Sequence, residues 1–259
     1  MARMRTALRR LVVLLVCAGT LAHPASAAAQ VRVIISGGFT AAYRELLPQF
    51  EKSAGVTVTT SSGGSVGNGP NTIGGQLRRG VQADVVILAR EGLQDLIAEH
   101  RTIAGSDADL ARSIIGMVVP AGAPKPDIST VEKLKAVLLA AKSVAVSSST
   151  SGVYLTTTLF PKLGIAAEMA GKTSMGGAAM VGRGEAELGL QQVSEVLPIA
   201  GTQFVGTIPA EVQYVTTYAA AVVSGSTQVE MAKRLIDFLS SAEAAAAIER
   251  SGMEPLRRH

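Results

Sequence analysis

The chain has 259 residues, 47% of them hydrophobic, with 24 Lys and Arg against 20 Asp and Glu and a single cysteine, Cys17. Four of the basic residues, Arg3, Arg5, Arg9 and Arg10, fall in the first ten positions, so the remainder is balanced at 20 against 20. A neutral domain without Lys/Arg clusters excludes the electrostatic footprint of nucleic-acid or membrane-surface binding, and a chain with no cysteine beyond position 17 has no disulfide or thiol chemistry.

Residues 1–27 read as a secretory signal peptide: a basic start, an apolar run at 11–21 too short for a comfortable membrane span, and the small residues Ala25-Ser26-Ala27 for cleavage. The expected location is therefore the periplasm. Cys17 follows Val16, which is larger than the residue a lipoprotein site prefers. The mature domain must be held by its apolar core alone, which a chain of this length can supply.

The mature chain then alternates strand and helix. An apolar strand at 31–35 runs into Ser36-Gly37-Gly38-Phe39 and an amphipathic helix at 40–52, closed by Gly55. Strands are predicted at 56–60 and 84–88, with helices at 72–79 and 91–100 and a glycine-rich loop between 61 and 71. A strand at 113–119, a Pro/Gly/Ala linker at 120–126, and Ser129 with Glu132 as a capping box introduce a helix at 131–141. Strand 144–146, the loop Ser147 to Ser151 and helix 152–163 follow, then a helix capped by Ser174, a strand at 187–192 and a long apolar strand at 214–223. Two helical segments end the chain. The βαβ order implies a parallel sheet covered by helices.

Two strand-to-helix loops, at 31–43 and 144–155, carry Ser, Thr and Gly where a helix begins. Unpaired backbone N–H groups and the helix dipole favour an anion there, although each serine alone also reads as an ordinary helix cap. If the apolar strands near 113–119 and 214–223 both cross between lobes, the chain forms two α/β lobes, 28–112 plus 222–259 and 113–221, with a ligand cleft between them.

Other chemistry is poorly supported. After the signal the only histidines are His100 and His259, so neither a His/Cys metal site nor a Ser-His-Asp triad is expected. Gly171-Lys172-Thr173 resembles the end of a phosphate loop, but Ala166 stands where its first glycine is required. No cofactor is expected.

The strings SGGFTAAYRELLPQFEKSAGVTV, SSGGS, ADVVIL, SVAVSSSTSGVYLTTTLFPKLGI and GRGEAELGLQQVSEV resemble the molybdate-binding branch of the type II periplasmic binding proteins. The shorter strings APKPDIS, SGVYL, LFPK and RGEAELGLQQ resemble periplasmic aconitate isomerases and their relatives. The resemblance implies a monomeric two-lobed fold whose lobes are joined by two crossing strands. A small anion is then bound between them, either by an aconitate isomerase or by the receptor component of an ABC importer for molybdate or another anion.

Carried over residue by residue, the resemblance puts Gly38 and the pair Gly64-Ser65 where the molybdate proteins use serine side chains. It puts Gln192 where a tyrosine closes on the oxyanion, and backbone donors near Ser151 and Ser174. The glycines imply a roomier pocket, and the amides of Gln191 and Gln192 suit carboxylates better than a small dianion. The expected ligand-binding set is Gly38, Phe39, Ser65, Ser149, Thr150, Ser151, Ser174, Gln191 and Gln192. Tyr154 is expected in the core with its phenol near the cleft, and Arg90 at the surface. Glu195, Tyr154 and a carboxylate of the ligand itself all remain open as the base an isomerase needs.

Overall fold

The computed structural model describes residues 30–256. The expected signal peptide at 1–27, with Cys17, and His259 lie outside the described residues. The first lobe opens with β1 (Gln30–Ile35), α1 (Thr40–Ala54), β2 (Thr57–Ser62), α2 (Ile73–Arg78), β3 (Val85–Ala89), α3 (Arg90–Ala98) and β4 (Ala108–Ser113). The second contains β5 (Ile115–Pro120), α4 (Val131–Ala140), β6 (Val144–Val146), α5 (Thr150–Tyr154), α6 (Phe160–Lys162), α7 (Ala166–Ala170), β7 (Thr173–Ser174), α8 (Ala179–Gly182), β8 (Leu188–Gln192), α9 (Val193–Val196) and β9 (Thr202–Thr207). The chain returns to the first through β10 (Thr216–Val222), α10 (Val229–Leu239), α11 (Ala245–Arg250) and β11 (Glu254–Pro255).

Each lobe is a mixed sheet, in strand order β11-β4-β10-β3-β1-β2 and β7-β6-β8-β5-β9. Strands β2, β1 and β3 are parallel, as are β7, β6 and β8, while β10 and β5 run against their neighbours. The parallel strands are apolar on both faces, and both faces are covered. In the first lobe α1, α10 and α11 bury Tyr43, Leu46, Leu235 and Ile248 on one side, and α2 and α3 bury Ile73, Leu93 and Leu96 on the other. In the second, Leu134, Leu138, Leu159 and Met169 cover one face, and Ala178, Val181 and Val196 the other. Gly55 ends α1 at φ 66°, a left-handed conformation in which its N–H reaches Glu51 O.

The sequence-level strands at 113–119 and 214–223 need revision. The first is two strands, with Ser113 ending β4 in one sheet and Ile115 opening β5 in the other. The second stays within one sheet: β10 bonds to β3 and β4, so residues 216–221, grouped by sequence with the second lobe, pair in the first. An apolar run cannot report which sheet it joins. The return crossing is the irregular stretch between β9 and β10, pinned where the Gln213 amide accepts from Ile115 N at 2.8 Å and donates to Ile115 O at 3.0 Å.

Smaller differences have local causes. Thr130, not Ser129, caps α4 by accepting from Lys133 N. Ser174 caps no helix; it is exposed in the two-residue edge strand β7, and α8 starts at Ala179. The helix expected at 152–163 starts at Thr150 and passes through a π-helical stretch, Leu155–Leu159, before α6.

Candidate ligand-binding site

The parallel strands of both lobes point their C-terminal ends at the interlobe cleft, the usual ligand position in open α/β sheets. Immediately after β1 come Ser36, Gly37 and Gly38, and after β6 come Ser147, Ser149, Thr150 and Ser151. With Gly64, Ser65, Gln192, Glu195 and Tyr218 these line a narrow cavity of about 40 Å³. The lining holds no Lys, Arg or His. A concavity of about 710 Å³ opens at the far end of the first sheet around Arg32, Gln82 and Arg101. Its cations are already paired, Arg32 with Asp84 and Arg101 with Glu99, so we place the functional site at the smaller cavity.

The cavity is built from short-range contacts between small residues. Ser65 Oγ accepts from Ala89 N at 3.0 Å, and Ser65 N donates across the cleft to Ser149 Oγ at 3.1 Å. Ser147 Oγ accepts from Ser149 N and lies 3.3 Å from Ser151 Oγ. Gly152 is required behind this loop, because a Cβ there would overlap Ser147 O. Neither α1 nor α5 has a side-chain cap or an acidic residue in its first turn; α1 is entered through the turn Gly37–Phe39, with Thr40 N donating to Gly37 O, so it is the start of α5 that can offer N–H groups to another acceptor.

Three buried polar atoms at this cavity have no hydrogen-bond partner among the described residues: Ser36 Oγ, Thr150 Oγ1 and Gln192 Oε1. Buried polar atoms are nearly always paired, so three orphans converging on one small space mark it as a place for polar ligand atoms. The other end of the Gln192 amide is fixed by donation from Nε2 to Thr216 Oγ1 at 2.7 Å.

Two ionisable groups complete the lining. Burial pushes the Glu195 carboxyl up to about 7, opposed by a hydrogen bond from Gln191. The Tyr218 phenol is raised well above its usual value, first by burial and then by the charges of Glu195, Glu91 and Tyr214. At the cleft edge, the Tyr214 hydroxyl donates to Glu91, and the Tyr214 ring stacks on Tyr154 with centroids 4.8 Å apart.

Of the residues named from sequence, Gly38, Ser65, Ser149, Thr150, Ser151 and Gln192 meet at the cavity. Phe39 does not: its ring is fully buried in the first lobe's core. Ser174 is exposed at the sheet edge. Gln191, one residue out of phase with Gln192, does not line the cavity: its Oε1 accepts from Ala178 N, and its side chain also hydrogen-bonds to Glu195 from behind. The Tyr154 hydroxyl is engaged with Val212 O at 2.8 Å, and Arg90 is paired with Asp107 and Asp109.

The expectation of a roomier pocket is overturned. A Cβ on Gly37 would overlap Glu195 Oε1, and a Cβ on Gly38 would overlap the Tyr218 hydroxyl. The glycines make room for a carboxyl and a phenol, not for ligand. Sequence reasoning missed Ser36, Gly37, Ser147 and Tyr218. Position directly after an apolar strand was a usable signal for Ser36 and Ser147, whereas nothing local distinguished Tyr218 from a core aromatic.

The chain matches, over residues 31–254, the model of a family described as bacterial extracellular solute-binding proteins. It is 42% identical over 228 residues to an aconitate isomerase of a Pseudomonas species, covering 86% of this chain and 87% of that protein. It is 27% identical over 238 residues to the molybdate-binding protein of Escherichia coli K12, covering 86% and 88%. Among solved structures, the periplasmic molybdate-binding protein of Azotobacter vinelandii superposes with a TM-score of 0.70 at 19% identity, over 88% of this chain and all of that one. With two lobes, a cleft at the strand ends and this match across nearly all the described residues, the chain belongs to the bacterial extracellular solute-binding protein family.

Proposed function

We propose that this protein is a periplasmic, cofactor-independent aconitate isomerase that binds the tricarboxylate between its lobes and interconverts the cis and trans isomers by an allylic proton shift. The observation that carries the reading is the orphaned set of Ser36 Oγ, Thr150 Oγ1 and Gln192 Oε1 around one cavity that also contains the half-buried carboxyl of Glu195. A passive anion receptor gains nothing from a carboxyl in its binding cavity. An enzyme that moves a proton does. The 42% identity to an aconitate isomerase supports the same choice.

The chain's contribution is charge stabilisation. Loss of an allylic proton places negative charge on a dienolate spread into the carboxylates, and hydroxyl and helix-start N–H donors fixed in a narrow cavity stabilise that charge without having to reorganise. Ser65 and Ser149, bonded across the cleft, must part to admit a polycarboxylate into so small a space. Entry therefore requires the lobes to swing about the crossings near Ile114 and Gln213.

Proton NMR of cis-aconitate incubated with the purified exported protein tests the reading. Conversion to the trans isomer without added metal or nucleotide is expected, and an unchanged spectrum beside tight binding would overturn it. The small cavity, ringed by hydroxyls, favours one second reading, a receptor that passes a compact oxyanion such as molybdate to an ABC permease. A larger thermal shift with molybdate than with aconitate would favour that alternative.

A further inference from the structure

Resting on the isomerase reading, we propose that Glu195 is the catalytic base, taking the proton from the methylene carbon of the bound tricarboxylate and returning it to the carbon at the far end of the allyl unit. Of the twelve residues lining the cavity, only Glu195 and Tyr218 are ionisable. Tyr218 is disqualified as a base because burial and its acidic neighbours hold it protonated. The serine and threonine hydroxyls have no histidine or lysine beside them in the cavity to activate them.

Geometry fixes the carboxyl where such a base is needed. Glu195 lies on α9, directly after β8, and its Oε1 fills the space that any side chain at residue 37 would take. It therefore presses on the turn that starts α1, beside the orphaned Ser36 hydroxyl. Gln191, near the end of β8, holds Ala178 N with its Oε1 and also hydrogen-bonds to the Glu195 carboxyl. The groups facing it are few: the Tyr218 phenol from β10, the uncharged turn Gly37–Phe39, and the neutral loop after β6. No cation lines the cavity to compensate it, so its charge is costly and its proton affinity lies near neutrality, matched to taking and returning a proton.

The step balances with one group. The Glu195 carboxylate removes a methylene proton, and the C–H electron pair forms a new double bond to the central carbon. The original double-bond pair moves to the former vinylic carbon and its carboxylate. The Glu195 carboxylic acid then delivers the same proton to that carbon. No oxidant, metal or second substrate enters, and the new double bond can form in the other geometry.

The test combines turnover, isotope exchange and binding in the purified exported protein. Glu195→Gln keeps the shape but cannot accept a proton, so turnover of cis-aconitate should fall at least about a hundredfold. Its affinity for trans-aconitate should stay within severalfold of the wild type, which also establishes that the variant is folded. In D₂O, any deuterium that the wild type places in substrate or product, through exchange of the Glu195 acid with solvent before it returns the proton, should be lost in the Gln variant. Glu195→Asp, a carboxylate set back from the substrate, should regain part of the activity. The wild-type kcat/KM should rise with pH to a plateau above about 7. An active wild type with a Gln variant retaining more than a tenth of its turnover would overturn Glu195 alone. A wild type that binds but neither converts nor exchanges would overturn the isomerase reading and the base together.

Discussion

Gly38 and Tyr218 occupy one space: the phenol of Tyr218, reaching up from β10, stands where any side chain at residue 38 would begin. The glycine therefore serves the tyrosine, which in turn forms part of the cavity floor beside Glu195. Gly38→Ala should push the phenol aside and cost about 1–3 kcal/mol of stability, as overpacking of a filled interior does. Tyr218→Ala should then cost less in the Gly38→Ala background than in the wild type, because part of the obstacle goes with the phenol. Denaturant titration of the wild type, both single variants and the double variant checks the coupling; additive losses would mean that the two residues do not share the site.

Glu195 should make stability fall as pH rises. Its carboxyl titrates near 7 in the folded protein against about 4.5 for the ordinary group. Between those values the folded state holds a proton that the unfolded chain has lost, so the contribution is complete below 4.5 and gone above about 7. The span corresponds to roughly 3 kcal/mol. The stability difference between wild type and Glu195→Gln, measured by urea titration from pH 4.5 to 8, should shift by an amount of that order in favour of the variant. A difference independent of pH would show that the carboxyl is not held in its neutral form.

Thr150→Val should separate binding from stability. The Thr150 hydroxyl is buried without a partner, so replacing it by an isosteric methyl should leave stability unchanged or slightly raised. If the hydroxyl meets a ligand carboxylate, its loss should cost about 1.5–3 kcal/mol of binding, roughly tenfold or more in Kd. Calorimetry with trans-aconitate together with thermal melting provides both numbers, and unchanged affinity would remove Thr150 from the contact set.

Tyr214→Phe should loosen the closed form. The Tyr214 hydroxyl donates to Glu91, whose other oxygen is buried without a partner. Deleting the donor leaves a buried carboxyl unpaired, a penalty of about 1–3 kcal/mol that parting of the lobes would relieve by admitting water. Small-angle scattering of the unliganded variant should give a larger radius of gyration than the wild type, and saturating trans-aconitate should reduce the difference. Identical radii would place the closing energy elsewhere.

The alternation of apolar strands and amphipathic helices was legible because it depends on local periodicity, and so were the two serine-rich loops at strand ends. From these follow the α/β alternation and the positions of Ser149, Thr150 and Ser151, whereas Ser65 and Gln192 came from the family resemblance. The one-residue phase of β8 was not legible, since adjacent amides at Gln191 and Gln192 differ only in the face they present. Tertiary structure alone decided that Ser113 and Ile115 belong to different sheets, because strand partners lie far away in sequence. It alone brought Glu195 and Tyr218 onto two glycines, filling space that composition assigned to ligand. A glycine specifies only that something comes close, and what comes close is fixed by the packing of distant elements.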